Sequence, residues 1–135
     1  MRVTILAIVC LLTISCSNKY KDFVNSEEEY QIIPKPVLLE TLNGQFLLDA
    51  STKISGTVEL VNEGEYLAGL VGLKYDISDS EGGDIILKLD ESIEEEEGYT
   101  LTVSYDKIVV AGKTSTGGFY GIQTLRQLMP IAIES

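Results

Sequence analysis

The sequence predicts one α+β domain, an antiparallel or mixed β-sheet with two helices packed on it, set behind an apolar leader. Three observations carry this expectation. In residues 99–105 the odd positions are Tyr99, Leu101, Val103 and Tyr105 and the even ones are Thr100, Thr102 and Ser104, the period of two that gives a strand one apolar and one hydroxyl-bearing face. In residues 115–129, Phe119, Ile122, Leu125 and Met129 form one helical stripe with Leu128 beside it. Between the leader and Pro130 lie roughly a hundred residues, enough to bury a core of ordinary size.

The chain opens with Met1 and Arg2, an apolar run over residues 3–14 broken only by Thr4 and Thr13, and then Ser15 and Cys16. A charged start, a short apolar run and a small residue at the cut describe a secretory signal over residues 1–15, and the run is too short to span a bilayer as a helix. The sequence at the cut, TIS-Cys16, is similar to a bacterial lipoprotein signal, in which the cysteine becomes the lipidated first residue. It departs from that motif in carrying Thr13 where leucine is usual. An ordinary secretory signal with an incidental cysteine is the alternative. Cys10 leaves with the leader, so Cys16 is the one thiol of the mature chain, and neither an intramolecular disulfide nor a cysteine metal site is expected. Residues 16–29 are polar after the cysteine and suit a tether. The expected product is exported and anchored through lipid on Cys16 to a membrane, periplasmic or at the cell surface, or else secreted without an anchor.

Charge narrows the partners. Ten Lys and Arg stand against twenty-one Asp and Glu, net −11, and loss of Arg2 with the leader makes the mature side chains −12. Such a chain repels nucleic acid and anionic head groups. Two acidic runs, residues 27–29 and 94–97, read as solvated loops, because a calcium loop interleaves its oxygen ligands around a sharp glycine turn and EEEEG does not.

Within the domain, residues 37–42 and 45–48 read as two short strands joined by a turn at Asn43-Gly44, an opening β-ribbon. Residues 52–55 add another short strand. Over residues 64–74, Leu67, Leu70, Val71 and Leu73 fall at helical spacing, with Gly69 and Gly72 weakening the pattern. After Gly82-Gly83, Ile85, Leu87 and Leu89 alternate with Ile86 and Lys88 as in a strand. A turn around Asp106 leads from the alternating strand to residues 108–111, apolar enough to be covered on both faces. Gly112 ends that strand, Thr114, Ser115 or Thr116 can cap the helix that follows, and Pro130 stops it.

Chemistry-bearing groups are few. There is no histidine, so no His triad, general base or His metal ligand, and no cofactor is expected. The helix entry STGGFYG could hold a phosphate on free N–H groups, but it lacks the GxGxxG spacing and the acidic residue that follows it. Close approach of the helix to a strand is the better reason for Gly117, Gly118 and Gly121, with Phe119 and Tyr120 as core or interface residues. Asp90-Glu91 is an adjacent carboxylate pair at a strand end. Neighbours on a strand point to opposite faces, poor geometry for joint acid–base work.

Four pieces, IIPKPVLLETLNGQFLL, EYLAGL, GDIILKLD and EGYTLTVSYDKIVVAGKTSTGGFYGIQTLRQLMP, stand in this order over residues 32–130. Together they resemble the small N-terminal domain that precedes the catalytic barrel of family 20 β-N-acetylhexosaminidases. Related enzymes acting on N-acetylglucosaminides or glucuronides carry a similar domain. The resemblance implies an α+β domain over residues 30–130, the start of a link to a barrel at residues 131–135, and a parent enzyme that removes terminal β-linked N-acetylglucosamine or N-acetylgalactosamine. It implies a partner, the barrel, through which alone glycan would be bound, and a buttress that supplies no catalytic residue. Phe119, Tyr120, Ile122, Leu125, Leu128 and Met129 are then core or barrel-facing. The family's catalytic Asp-Glu lies in a Gly-x-Asp-Glu setting at a barrel strand end, and Asp90-Glu91, which follows Leu89 and runs into an acidic loop, does not match it. Two other classes remain. One is a free-standing glycan-binding lipoprotein, disfavoured by the absence of Trp although Tyr66, Tyr75, Tyr99, Tyr105 and Tyr120 could stack on sugars; the other is a partner-binding domain.

Overall fold

A computed structural model describes residues 24, 30–41, 43–78 and 82–129. The leader, Cys16, all of the tether but Val24, and residues 130–135 lie outside them. The described chain runs β1 (Ile54–Gly56), a 3-10 turn (Val58–Leu60), α1 (Val61–Val71), β2 (Tyr75–Ile77), β3 (Ile85–Leu89), β4 (Tyr99–Val103), β5 (Ile108–Gly112) and α2 (Ser115–Leu128). The five strands form one mixed sheet in the order β2-β1-β3-β5-β4. β1 is parallel to β2 and to β3, β3 is parallel to β5, and only the β4–β5 pair is antiparallel. The expected α+β class holds, in its mixed-sheet form.

Register puts Ile54, Ile85 and Ile108 in one row across three strands, and Leu87 beside Val110 in another. These side chains face the helices. With Leu60, Leu67, Ala68, Ile122 and Leu125 they form the buried core. Each fully buried side chain of this size contributes about 1.5–3 kcal/mol by leaving water.

The last helix starts where Thr114 takes an extended conformation and its hydroxyl accepts the Gly117 N–H, so of the three candidate caps the first is used. The same hydroxyl donates to the Glu96 carbonyl at 2.7 Å, pinning the helix entry to the acidic loop before β4. Glycine then lets the helix lie on the sheet. A Cβ on Gly112 would overlap the backbone of Gly117 and Gly118, one on Gly117 would overlap the Gly98 carbonyl, and one on Gly121 would come within 2.6 Å of Val110 Cγ1. Tyr99 rises beside this contact and its hydroxyl pairs with Thr124 Oγ1 at 2.6 Å. The expected close approach is found.

Three expectations need correction. Residues 37–41 and 43–48 carry no strand, so the opening ribbon is not formed. Gly44 does take a positive φ of 103°, as a turn glycine would, but only one arm has a face to bury. Phe46 and Leu48 pack on the core while Val37 and Leu38 stand in solvent. An isolated two-stranded ribbon is marginal without such burial. The first helix begins three residues earlier than its apolar pattern, at Val61, and stops at Val71. It stops because Gly72 turns left-handed (φ 69°) and the Leu73 N–H reaches back to the Ala68 carbonyl at 2.9 Å. Finally, β2 was not foreseen: three residues, YDI, are too few to show a period.

Candidate interaction surface

The helical stripe predicted for α2 is divided by the fold. Ile122 and Leu125 are buried in the core and Met129 packs against it, while Phe119 and Tyr120 are 38% and 40% exposed and Leu128 is intermediate. Gly117 faces the Gly98 and Gly112 backbone, Gly121 faces Val110 and Tyr99, and Gly118 faces Leu60, so the aromatics beside them rotate outward. Size misled the pattern, since the residues nearest the sheet are the smallest.

On the outer side of the helices Phe119 meets Tyr66 of α1, with ring centroids 5.6 Å apart, and Tyr120, at 6.2 Å; both pairs are tilted. The Tyr66 hydroxyl accepts a hydrogen bond from Gln123 Nε2 at 3.1 Å, which ties α1 to α2 across the surface. The result is a three-ring aromatic patch that neither helix could present alone. Tyr66 and Tyr120 were singled out in the sequence as rings free to stack, and the fold brings them together through Phe119. The other rings are committed elsewhere. Tyr75 donates its hydroxyl to the Thr57 carbonyl at 2.8 Å and lies over Gly64, and Tyr99 is held by Thr124. Burial first, then the charges of Glu63 and Glu59, pushes the Tyr75 hydroxyl up to about 12. The fifth tyrosine, Tyr105, sits half-buried in the β4–β5 turn away from the patch.

The carboxylate pair is arranged for structure. Asp90 accepts hydrogen bonds from the Ser92 hydroxyl and backbone N–H at 2.6 and 2.9 Å, and these hold its carboxyl below the usual range. A general acid needs the opposite shift. Glu91 is exposed, and its backbone carbonyl accepts Lys113 Nζ at 2.6 Å. Likewise the glycine-rich helix entry sits directly on the Gly98 and Gly112 backbone, with the Gly118 N–H donating to the Thr114 carbonyl. Among the described residues no group of three or more Asp, Glu, Cys or His side chains is placed to hold a metal ion.

Residues 29–134 match the family model described as glycosyl hydrolase family 20, domain 2. The chain is 32% identical over 140 aligned positions to a beta-hexosaminidase of Porphyromonas gingivalis, covering 95% of this chain and 18% of that protein. It is 34% identical over 107 positions to a beta-N-acetylhexosaminidase of Cellulomonas fimi, covering 71% of this chain and 22% of the other. Among solved structures, the family 20 beta-N-acetylhexosaminidase of Streptomyces coelicolor superposes with a TM-score of 0.59 at 32% identity, over 66% of this chain and 19% of that one. The chain thus spans about a fifth of the length of the relatives it matches.

Proposed function

Since the chain belongs to the glycosyl hydrolase family 20 domain 2 family, we propose that it is the N-terminal buttress of an exported β-N-acetylhexosaminidase and is itself without hydrolytic activity. The parent enzyme removes terminal β-linked N-acetylglucosamine or N-acetylgalactosamine, with a catalytic barrel contributed by sequence beyond these 135 residues. The observation that carries this reading is the match of residues 29–134 to a non-catalytic domain, in relatives about five times as long that are named as hexosaminidases.

The barrel is the domain's partner, and the Tyr66–Phe119–Tyr120 patch is the surface offered to it. Three rings half-open to water are better placed against another apolar surface than in solvent. Glycan reaches the assembly through the barrel. Cys16 is acylated, and the several acyl chains of a bacterial lipoprotein make the membrane attachment stable, where one chain alone anchors only marginally. The protein then sits in the periplasm or on the cell surface with residues 17–29 as its tether.

The deciding experiment measures hydrolysis of a chromogenic N-acetyl-β-glucosaminide by the chain alone and by the product of its full reading frame. Activity is expected only in the second. Turnover by the chain alone that is lost in Glu91→Gln overturns the buttress reading. Titration of the chain with N-acetylglucosamine oligosaccharides tests the glycan-binding alternative, which predicts saturable shifts at Tyr66, Phe119 and Tyr120. Mass spectrometry of the mature N-terminus tests the anchor: an unmodified terminus at any residue other than an acylated Cys16 removes it.

A further inference from the structure

The chain enters the described domain and leaves it at the same place. Gln127, in the last turn of α2, uses its side-chain amide to read both backbone groups of Ile33. The Ile33 N–H donates to Gln127 Oε1 at 2.9 Å, and Gln127 Nε2 donates to the Ile33 carbonyl at 3.0 Å. One planar amide thus makes the same two-way exchange that a strand residue makes with its neighbour. Two residues beyond Gln127 the helix ends at Met129, whose N–H bonds back to the Arg126 carbonyl.

The sequence around Ile33 explains why a side chain is used. In the stretch Ile33-Pro34-Lys35-Pro36 the two prolines have no N–H, so this segment cannot be held to the domain by a regular ladder. Ile33 supplies the last complete donor–acceptor pair before them. Ile32 beside it is buried at 8% exposure, whereas Ile33 is 78% exposed and is held through its backbone alone. The contact spans 94 residues of sequence. It closes almost the whole described domain into one loop.

We propose that Gln127 is the latch of a strap formed by residues 30–36, which fastens the entry of the domain to its exit and makes the two one rigid pole. The entry of the domain at Ile33 and the last turn of α2 are then held side by side. This does not depend on the function of the domain. With the latch open, residues 30–36 are no longer tied to the last turn of α2.

Amide hydrogen exchange of the full chain, read residue by residue by NMR, tests the latch. The Ile33 amide is expected to exchange slowly in the native chain and about ten-fold faster in Gln127→Ala, with Val110 in β5 unchanged. Gln127→Glu keeps an acceptor for the Ile33 N–H but sets an oxygen against the Ile33 carbonyl, and should fall between the two. Relaxation of residues 31–35 reports the same release as faster motion. Exchange of native Ile33 at the free-peptide rate overturns the proposal, whatever the variants do. So does protection of Ile33 that survives Gln127→Ala, which would mean that burial of Ile32 alone holds the strap.

Discussion

Helix α2 lies on β4 and β5 with glycine at its points of closest approach, whereas α1 lies on β1 and β2 with the ring of Tyr75 inserted against Gly64. Both helices use glycine, but in different surroundings. At Gly112 an added methyl group meets backbone atoms of Gly117 and Gly118, which are fixed by the helix itself. At Gly64 it meets the ring of Tyr75, a side chain anchored at its far end by one hydrogen bond to the Thr57 carbonyl rather than a stretch of helix backbone. The β5–α2 contact is therefore a rigid joint and the β2–α1 contact a soft one.

Substitutions can break or sharpen that contrast. Gly112→Ala should have the largest effect, a loss of about 3 kcal/mol or more, because overpacking cannot be relieved by a rotamer change. A urea midpoint within error of the native chain would mean that helix and strand slide apart freely. Thr114→Ala removes both the hydroxyl that caps α2 and its bond to the Glu96 carbonyl. It should cost about 1 kcal/mol, with amide exchange quickening first at Gly117. In the softer half, Gly69→Ala should stabilise by about 0.5–1 kcal/mol. Gly69 is inside α1 and nothing lies within 4 Å of its added methyl group, so thermal denaturation should shift upward. A further effect is expected from alkali. Tyr75 ordinarily titrates near 10.0 and is pushed up to about 12 in the fold. The native state keeps a proton that the unfolded chain loses between those values, so this contribution is complete below pH 10 and is lost as pH rises toward 12. Urea midpoints between pH 9 and 12 should fall more steeply in the native chain than in Tyr75→Phe, and equal slopes would remove Tyr75 as the cause.

The same division decides how much could be read in advance. In the β4–β5–α2 half, strand alternation, a hydroxyl before two glycines and a proline after Met129 each mark a local event, and all three elements fall within a residue or two of their expected bounds. In the first half the strands are three residues long and pair with partners distant in sequence, so periodicity has too little length to register. The residues 37–48 pattern looked like a ribbon because alternation reports which residues are apolar, not whether a surface exists to cover both arms. The glycines before Phe119 mark contact points in the sequence itself, yet their consequence, that the rings turn outward to meet Tyr66, is set by the fold. Gln127 carried no signal at all. Its partner is the backbone of a residue 94 positions away, and a backbone group has no letter in the sequence.

The position of α2 as the last described element bears on synthesis. Ile122 and Leu125 cover the row of core residues contributed by β1, β3 and β5, so every strand has left the ribosome before the helix that covers the sheet is complete. Until then Leu60, Leu67 and Ala68 are the apolar cover already made, and the β5 end of the nascent sheet lacks Ile122 and Leu125 and is open to partners in other chains. The core is therefore completed only when α2, ending at Leu128, has been made.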